Sequence, residues 1–244
     1  MRYGIFSDTH GNSDALMRCL DALESAGVDR LVCLGDTVGY GAEPNECCDV
    51  VRNVADVAVL GNHDAMAVGL LSLDHCHAQA QHALEYAAAR ITPENRSWIR
   101  GLEYRVTEGN VCFCHGSPLG AEDDFDYVFT LEKAAALTGA FDSLNDVTFV
   151  GHSHLTTSYL ITPRLSLQVC APRFRLRPGV KYVFNVGSVG QPRDRDTRSC
   201  VVVYDTEQST VSYLRVEYDV EAAASKIYAA DLPPAFAQRL YHGV

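Results

Sequence analysis

Residues 3–36 read YGIFSDTHGNSDALMRCLDALESAGVDRLVCLGD, and this stretch carries the clearest pattern of alternating strands and helices. It opens with a short apolar run, Tyr3–Phe6, and closes with a second one, Leu31–Leu34. Between them, leucines recur at about the helical period behind Asn12 and Ser13, either of which can cap a helix. A strand, a helix and a strand in this order predict a parallel β-α-β unit.

The same alternation continues toward the C-terminus. Pro44 suits the first turn of a second helix, and the apolar run Val57–Leu60 predicts a third strand. Segment 65–100 is mostly helical in pattern, and after residue 150 the chain becomes β-rich. We therefore predict an α/β protein with a single domain over residues 1–244 and a helical cap-like insertion at about 65–100.

Further elements follow from periodicity. Strands are predicted at residues 111–114, 147–150, 158–161, 166–170, 182–186, 201–204 and 211–216. Helices are predicted at residues 131–140 and 219–230 and after the prolines at 233–234.

Charge and composition exclude several function classes. The 244 residues carry a net charge of −11, which argues against a broad basic face for extended nucleic acid. No apolar run is long enough to cross a membrane, and the N-terminus lacks the apolar core of a signal peptide, so we expect a cytoplasmic protein. The nine cysteines show no CxxC pair, and we interpret them as small buried hydrophobic residues without disulfides.

Polar side chains follow five of the predicted strands where each strand ends. They belong to Asp8-Thr9-His10, Gly35-Asp36, Gly61-Asn62-His63-Asp64, His115-Gly116 and Gly151-His152-Ser153-His154. Because open α/β sheets bind ligands outside the carboxyl ends of their strands, we expect these side chains along one edge of a single sheet. Carboxylate, amide and imidazole groups without a thiolate favour Mn, Fe, Zn, Ni or Co. The set is too large for one ion and favours two metals bridged by a carboxylate.

These motifs, in this order over about residues 1–190, resemble those of the calcineurin-like metallophosphoesterases. Within that family the chain is similar to small bacterial and archaeal phosphodiesterase-type members, some described as diadenosine-tetraphosphatase-related. The resemblance implies a four-layer α/β/β/α sandwich of two mixed sheets flanked by helices. It also implies a dimetal-dependent hydrolase, in which activated water attacks the phosphorus of a small phosphodiester, a phosphomonoester or a dinucleoside polyphosphate.

The resemblance further implies a role for each motif residue. The first metal would be held by Asp8, His10 and His154, the second by Asn62, His115 and His152, and both by the bridging Asp36. His63 would stabilise developing charge or protonate the leaving oxygen. The alternative for His63 is a buried histidine whose ring is hydrogen-bonded to backbone. Asp64 is a further catalytic candidate because it is adjacent to His63.

The chain departs from the Ser/Thr protein-phosphatase branch of the family. That branch carries GDxxDRG, whereas residues 35–41 read GDTVGYG. This difference counts against a dedicated protein phosphatase and leaves the partner of His63 open. Two further functions are compatible with the fold. One is a nuclease, which the net charge disfavours, and the other is a non-catalytic interaction module like the retromer subunit of this fold, which the intact ligand positions disfavour.

Substrate contacts are predicted from two further features. The Gly-containing segment 185–198 carries Arg193, which suits a phosphate, while Arg195 and Arg198 could instead pair with neighbouring aspartates. Tyr40 could stack on a base or hydrogen-bond to substrate. The expected partner is a small phosphorylated substrate, nucleotides included, and no oligomeric state is indicated.

Two other clusters have simpler interpretations. His75, His77 and His82 suggest a third metal site, but only two of them share a helical face, and a solvated cap helix explains them better. The acidic run at residues 122–126 is predicted to be a solvated loop, and a role in limiting the access of anionic substrates is the alternative.

Overall fold

A computed structural model describes residues 1–120, 125–126, 128 and 130–244 of the chain. Residues 122–124 of the predicted acidic loop lie outside the described residues, and so does the side chain of His75. The structure therefore does not test the acidic loop at these residues, and it bears on the histidine cluster only through His77 and His82.

The strands are β1 (Arg2–Phe6), β2 (Arg30–Cys33), β3 (Val57–Ala58), β4 (Arg105–Glu108), β5 (Val111–Cys114), β6 (Val147–Val150), β7 (Thr156–Ile161), β8 (Ser166–Val169), β9 (Arg173–Arg175), β10 (Lys181–Val186), β11 (Ser199–Asp205) and β12 (Thr210–Val216). The helices are α1 (Ser13–Ser25), α2 (Pro44–Val54), α3 (Asn62–Ala67), α4 (Ala78–Arg90), α5 (Pro93–Arg100), α6 (Leu131–Gly139), α7 (Val220–Ala229) and α8 (Pro234–Leu240).

The strands form two mixed sheets of six strands each. The first sheet has the order β3-β2-β1-β11-β12-β9, and the second has the order β4-β5-β6-β10-β7-β8. Strands β1, β2 and β3 are parallel to one another, as are β5, β6 and β10. The α/β class with two mixed sheets flanked by helices is thereby confirmed.

Three apolar layers hold the sheets and helices together. Between the sheets lies a core that includes Ile5, Phe113, Phe149 and Phe184. Residues of α1 and α2 cover the outer face of the first sheet, and those of α6 cover the outer face of the second. The central strands β1, β5 and β6 are therefore buried on both faces, which explains why they are nearly continuous apolar runs.

Local sequence signals set most helix starts. The side chain of Asn12 accepts a hydrogen bond from the backbone N–H of Ala15 at 3.1 Å, which identifies it as the cap of α1. Pro44 opens α2 as predicted. Helices occupy much of the segment predicted as the insertion, but the single-domain organisation stays a prediction.

Some boundaries differ from the sequence predictions. Strand β3 ends at Ala58, and the edge strands β4 and β9 were not predicted. Strand β9 has the sequence Arg-Phe-Arg, in which only Phe174 is buried, so it carries too little apolar character to be recognised.

All nine cysteines are free, but Cys170 is exposed and Cys76 only partly buried, which corrects the prediction of burial for these two.

No helix in the described part of the chain is long and apolar enough to cross a membrane.

Candidate metal centre

The predicted ligands come together, but from two sheets. Strands β1, β2 and β3 of the first sheet and β5 and β6 of the second end at the same place. The expectation of a single sheet edge is therefore wrong, because the two sheets face each other and turn corresponding ends toward one site. The backbone N–H of His152 donates to Oδ2 of Asp8 at 3.0 Å, which joins the ends of β6 and β1 directly.

Two glycines permit this close approach. A Cβ atom at Gly61 would lie 2.1 Å from Oδ1 of Asp36, and one at Gly151 would lie 2.0 Å from Oγ of Ser7. No side chain can occupy either position without displacing the neighbouring strand end. The glycines that precede the Asn-His-Asp and His-x-His motifs are thus required by the packing between loops.

Three of the histidines have the same orientation. Nδ1 of His10 lies 3.1 Å from the carbonyl oxygen of Val38, Nδ1 of His115 lies 2.7 Å from that of Leu34, and Nδ1 of His154 lies 2.6 Å from that of Gln191. Because a carbonyl can only accept, each Nδ1 carries a proton, which leaves the lone pair of the neutral ring on Nε2. This second-layer bond to backbone is the usual arrangement for metal-binding histidines.

The free Nε2 atoms converge on buried carboxylates. Nε2 of His154 lies 3.1 Å from Nε2 of His10 and 3.2 Å from Oδ1 of Asp8. Oδ1 of Asp8 is buried and accepts no hydrogen bond from any described residue. Two acceptor nitrogens and an acceptor oxygen at these distances repel one another unless positive charge lies between them. The donor set therefore fits a cation.

A second group of ligands adjoins the first through Asp36. Oδ2 of Asp36 lies 3.3 Å from Nε2 of His115 and 3.7 Å from Nε2 of His10. Oδ1 of Asn62 lies 3.1 Å from Nε2 of His115, and His152 offers a further ligand atom within 4.8 Å of those of Asp36 and His115. Asp36 contacts histidines of both groups, which is the position that a bridging ligand requires.

The backbone at these residues is strained. Eight non-glycine residues in the described part of the chain have positive φ, and five of them are predicted ligands: Asp8, His10, Asp36, His152 and His154. Such conformations cost about 1–3 kcal/mol each and concentrate at functional sites. The strain turns these side chains inward at the strand ends.

Burial and mutual charge shift the pKa values of the site. Burial alone would raise the pKa of Asp8, but His154, His10 and His115 hold it well below its ordinary value. Burial would lower the pKa of His115, but the carboxylates of Asp36 and Asp8 raise it to about 9. Among the described residues, no lysine or arginine pairs with either aspartate. The two carboxylates therefore demand positive charge that only their histidines or bound cations can supply.

His63 lies among the ligands, and its Nδ1 has no hydrogen-bond partner within the described part of the chain. Its backbone N–H donates to Oδ1 of Asp36 at 2.8 Å, and its ring centroid lies 4.7 Å from that of His10. A Cβ atom at Gly39 would lie 2.8 Å from Nδ1 of His63. Gly39 occupies the position at which the protein-phosphatase branch has the aspartate that pairs with this histidine. The lack of that aspartate explains why Nδ1 of His63 has no partner among the described residues.

Asp64 has a structural position. Its carboxylate accepts hydrogen bonds from the backbone N–H groups of Val38, at 3.1 Å, and Gly61, at 3.4 Å. Burial and then the charge of Asp36 raise the pKa of Asp64 to about 7. Among the described contacts, none joins its side chain to the ring of His63. A catalytic role for Asp64 gains no support from this geometry.

The predicted substrate residues Tyr40 and Arg193 both lie at the site. The Tyr40 ring centroid is 4.5 Å from that of His10 and 4.6 Å from that of His63. The guanidinium of Arg193 lies 5.4 Å from the Tyr40 ring centroid, and the backbone N–H of Arg193 donates to the carbonyl of His154 at 3.3 Å. By contrast Arg195 is exposed, and Arg198 is paired with Asp196 of its own loop.

Sequence reasoning missed two contributors. The backbone carbonyl of Gln191 orients His154, and no sequence signal marks a carbonyl acceptor. Phe236 of α8 packs on Tyr40 with ring centroids 4.7 Å apart. The two prolines at 233–234 predicted a helix after them, but nothing in the sequence indicated this contact. His77 caps α4 and His82 is exposed, in keeping with a solvated helix.

Comparison with known proteins supports the interpretation of the motifs. The family model described as the calcineurin-like phosphoesterase superfamily domain matches residues 1–209. A protein of Methanocaldococcus jannaschii described as uncharacterized is 32% identical over 243 residues, covering 98% of this chain and 97% of the relative.

Solved structures agree with this match. A metallophosphoesterase from Sphaerobacter thermophilus is 33% identical, with a TM-score of 0.84 and coverage of 100% of this chain and 99% of that one. A hypothetical protein from Pyrococcus horikoshii shares the fold at 18% identity, with a TM-score of 0.81 and coverage of 100% and 98%. Taken with the buried Asp and His clusters at the strand ends, these matches show that the chain belongs to the calcineurin-like phosphoesterase superfamily.

Proposed function

We propose that this protein is a dinuclear metal-dependent hydrolase of small phosphoesters, acting on a phosphodiester, a phosphomonoester or a dinucleoside polyphosphate. One observation carries the proposal. Three histidines, held by backbone carbonyls with Nδ1 protonated, turn their Nε2 lone pairs toward the buried carboxylates of Asp8 and Asp36. Histidine nitrogens and carboxylate oxygens that face one another, with no lysine or arginine between them among the described residues, are typical of a metal-binding site.

The proposal assigns the candidate ligands to two ions. Asp8, His10 and His154 would hold one ion, Asn62, His115 and His152 would hold the other, and Asp36 would serve both. Bound divalent cations would lower the pKa of a water that attacks phosphorus and would neutralise the phosphoryl oxygens. Oxygen and imidazole donors suit Mn, Fe, Zn, Ni or Co.

The remaining residues would act on the substrate and on the loop. His63 would stabilise charge on the phosphoryl group or protonate the leaving oxygen, because its Nδ1 has no other partner among the described residues. Asp64 would position His63 indirectly, because its carboxylate ties the loop of Val38 to the start of α3. Arg193 and Tyr40 would contact substrate beside the ions.

The other hypotheses are less well supported. Gly39 and Tyr40 replace the Asp-Arg pair of the protein-phosphatase branch, and the net charge of −11 disfavours a nuclease. An interaction module without catalysis would not need five ligand residues in strained conformations.

Metal reconstitution tests the proposal. The protein is stripped with a chelator, loaded with each of Mn, Fe, Zn, Ni and Co, and assayed on bis(p-nitrophenyl) phosphate. We expect turnover that needs metal and is lost in His154→Ala but kept in Asp142→Asn, a change at an exposed carboxylate in the 3₁₀ turn Phe141–Ser143. Metal binding without turnover of any phosphoester would instead support the interaction module.

A further inference from the structure

The C-terminal helix α8 packs against Tyr40, which borders the candidate metal centre. Helices α7 and α8 lie beyond residues 1–209, the part of the chain that the family model matches. Phe236 of α8 is buried against Tyr40, which itself contacts His10 and His63. Only the Tyr40 ring therefore separates Phe236 of α8 from the predicted ligand His10.

The turn after α8 is fixed to the loop that carries Arg193. The carbonyl of Gly243 accepts a hydrogen bond from the backbone N–H of Arg195 at 2.8 Å. Gly243 has a φ of +63°, and a Cβ atom there would lie 2.7 Å from the carbonyl oxygen of Asp196. This contact and the packing of Phe236 hold α8 in one position relative to the loop.

Arg239 occupies the inner part of α8. It follows Phe236 by three residues, so the two side chains share a face of the helix, and it is half-buried. Within the described part of the chain its guanidinium has neither a carboxylate partner nor a side-chain hydrogen bond. A half-buried cation without a counter-charge is costly unless a ligand supplies one.

Arg193 also lacks a carboxylate partner among the described residues. Its Nη2 donates to Oε1 of Gln191 at 2.9 Å, but its Nε is buried without a hydrogen-bond partner among the described residues. The aspartates of its own loop are engaged elsewhere, since Asp194 pairs with Arg215 and Asp196 with Arg198. No described carboxylate neutralises Arg193.

The two arginines also act on each other. Burial, and then the charge of Arg193, lowers the pKa of Arg239. Two uncompensated cations thus repel each other beside the metal centre of a protein with a net charge of −11. An anion between them would relieve that repulsion.

We propose that Arg193 and Arg239 together bind a second phosphoryl group of the substrate, next to the one that reacts. Guanidinium forks match phosphate oxygens, and the Tyr40 ring supports Arg193 from one side. The preferred substrates are then phosphoanhydride-containing esters, such as nucleoside diphosphate derivatives and dinucleoside polyphosphates. The inference rests on the proposed function and deepens it by naming the substrate class.

The test compares two ligands that differ by one phosphoryl group. Binding of AMP and of ADP to the metal-loaded protein is measured by calorimetry at fixed free-metal concentration, in the wild type and in Arg239→Gln and Arg239→Lys. Arg164→Gln is the control, because Arg164 lies exposed in the turn between β7 and β8. Thermal unfolding of each variant checks that it folds.

We expect ADP to bind wild type at least about 10-fold more tightly than AMP, the scale of one charge-assisted pair. Arg239→Gln should reduce this ratio to about 2 or less, Arg239→Lys should give an intermediate ratio, and Arg164→Gln should keep the wild-type ratio. An equal ratio in the wild type and Arg239→Gln overturns the proposal.

Turnover of bis(p-nitrophenyl) phosphate separates this inference from the proposed function. Should the wild type hydrolyse either ligand during the titration, all variants are compared in the His63→Asn background. Binding then decides the role of the arginine pair whether or not any metal supports turnover. Should Arg239→Gln fail to fold, the ratio in Arg239→Lys decides, and a ratio equal to that of the wild type would again overturn the proposal.

Discussion

Nε2 of His10 lies 3.1 Å from Nε2 of His154, and the Nδ1 atom of each ring is bonded to a backbone carbonyl. The two residues are 144 positions apart in the chain. Their facing lone pairs make this contact unfavourable in the absence of positive charge. The fold thus holds the pair together for a cation.

The bridging position of Asp36 predicts unequal effects of ligand substitutions. Asp36→Asn should weaken both metal sites, because Oδ2 of Asp36 approaches both His10 and His115. His154→Ala should mainly weaken the site of Asp8 and His10. Elemental analysis and calorimetric titration with Mn should show about two ions in the wild type, a loss at both sites in the first variant and at one in the second. Retention of both ions in Asp36→Asn would contradict the bridging role.

His63 should affect chemistry rather than metal binding. His63→Asn removes the proposed acid, and we expect kcat to fall by roughly 10²–10⁴-fold while the metal content stays unchanged. His82→Asn is the matched control, since His82 is exposed on α4, and it should behave like the wild type. The assigned role is wrong if His63→Asn loses metal yet keeps its activity per bound ion.

Gly151 should prove sensitive to the smallest possible side chain. Its added Cβ atom would lie 2.0 Å from Oγ of Ser7 and 2.7 Å from Oδ2 of Asp8. Gly151→Ala should therefore lower the free energy of unfolding by at least about 2 kcal/mol and weaken metal binding, because the strand ends must separate.

Gly139→Ala provides the comparison for this change. Gly139 is the last residue of α6, and no atom lies within 4 Å of its added Cβ. Alanine is the better helix former by about 1 kcal/mol, so this variant should be as stable as the wild type or more stable. Urea denaturation measures both variants, and equal effects would show that crowding at Gly151 is unimportant.

The loop after β10 should show a measurable acid dependence. Asp196 accepts bonds from Arg198 Nε at 3.0 Å and Nη2 at 2.7 Å, and these bonds lower the pKa of Asp196 to about 2. Because this value lies below the unfolded value of about 3.9, the bonds stabilise the fold fully above roughly pH 5. Their contribution is lost as the pH falls through about 2.

Asp196→Asn should accordingly lower the free energy of unfolding by less than about 1 kcal/mol at pH 7, because the pair is partly exposed. The difference from the wild type should shrink between pH 4 and pH 2. Urea denaturation at several pH values measures it, with Asp142→Asn as the exposed control. A difference that stays constant over this range would show that the bonds to Arg198 do not stabilise the fold.

Much of the fold and of the site could be predicted from the sequence because each apolar strand and the polar motif at its end are adjacent in the chain. An apolar run followed at once by Asp8 and His10, or by His152 and His154, identifies a strand and its polar end together. Asn12 and Pro44 lie at helix starts for reasons of local backbone bonding. The edge strand β9 escaped prediction because three residues with one buried side chain carry no periodic signal.

The sequence alone was enough to establish the order of most strands and helices, the set of candidate ligands and the family. Only the tertiary structure decided that these ligands come from two facing sheets, and that α8 brings Phe236 to the same site. Only the tertiary structure also decided which carbonyls fix the histidine tautomers. The physical reason is that backbone carbonyls are alike at every residue, so their use as acceptors depends on which distant segments the packed sheets bring into contact.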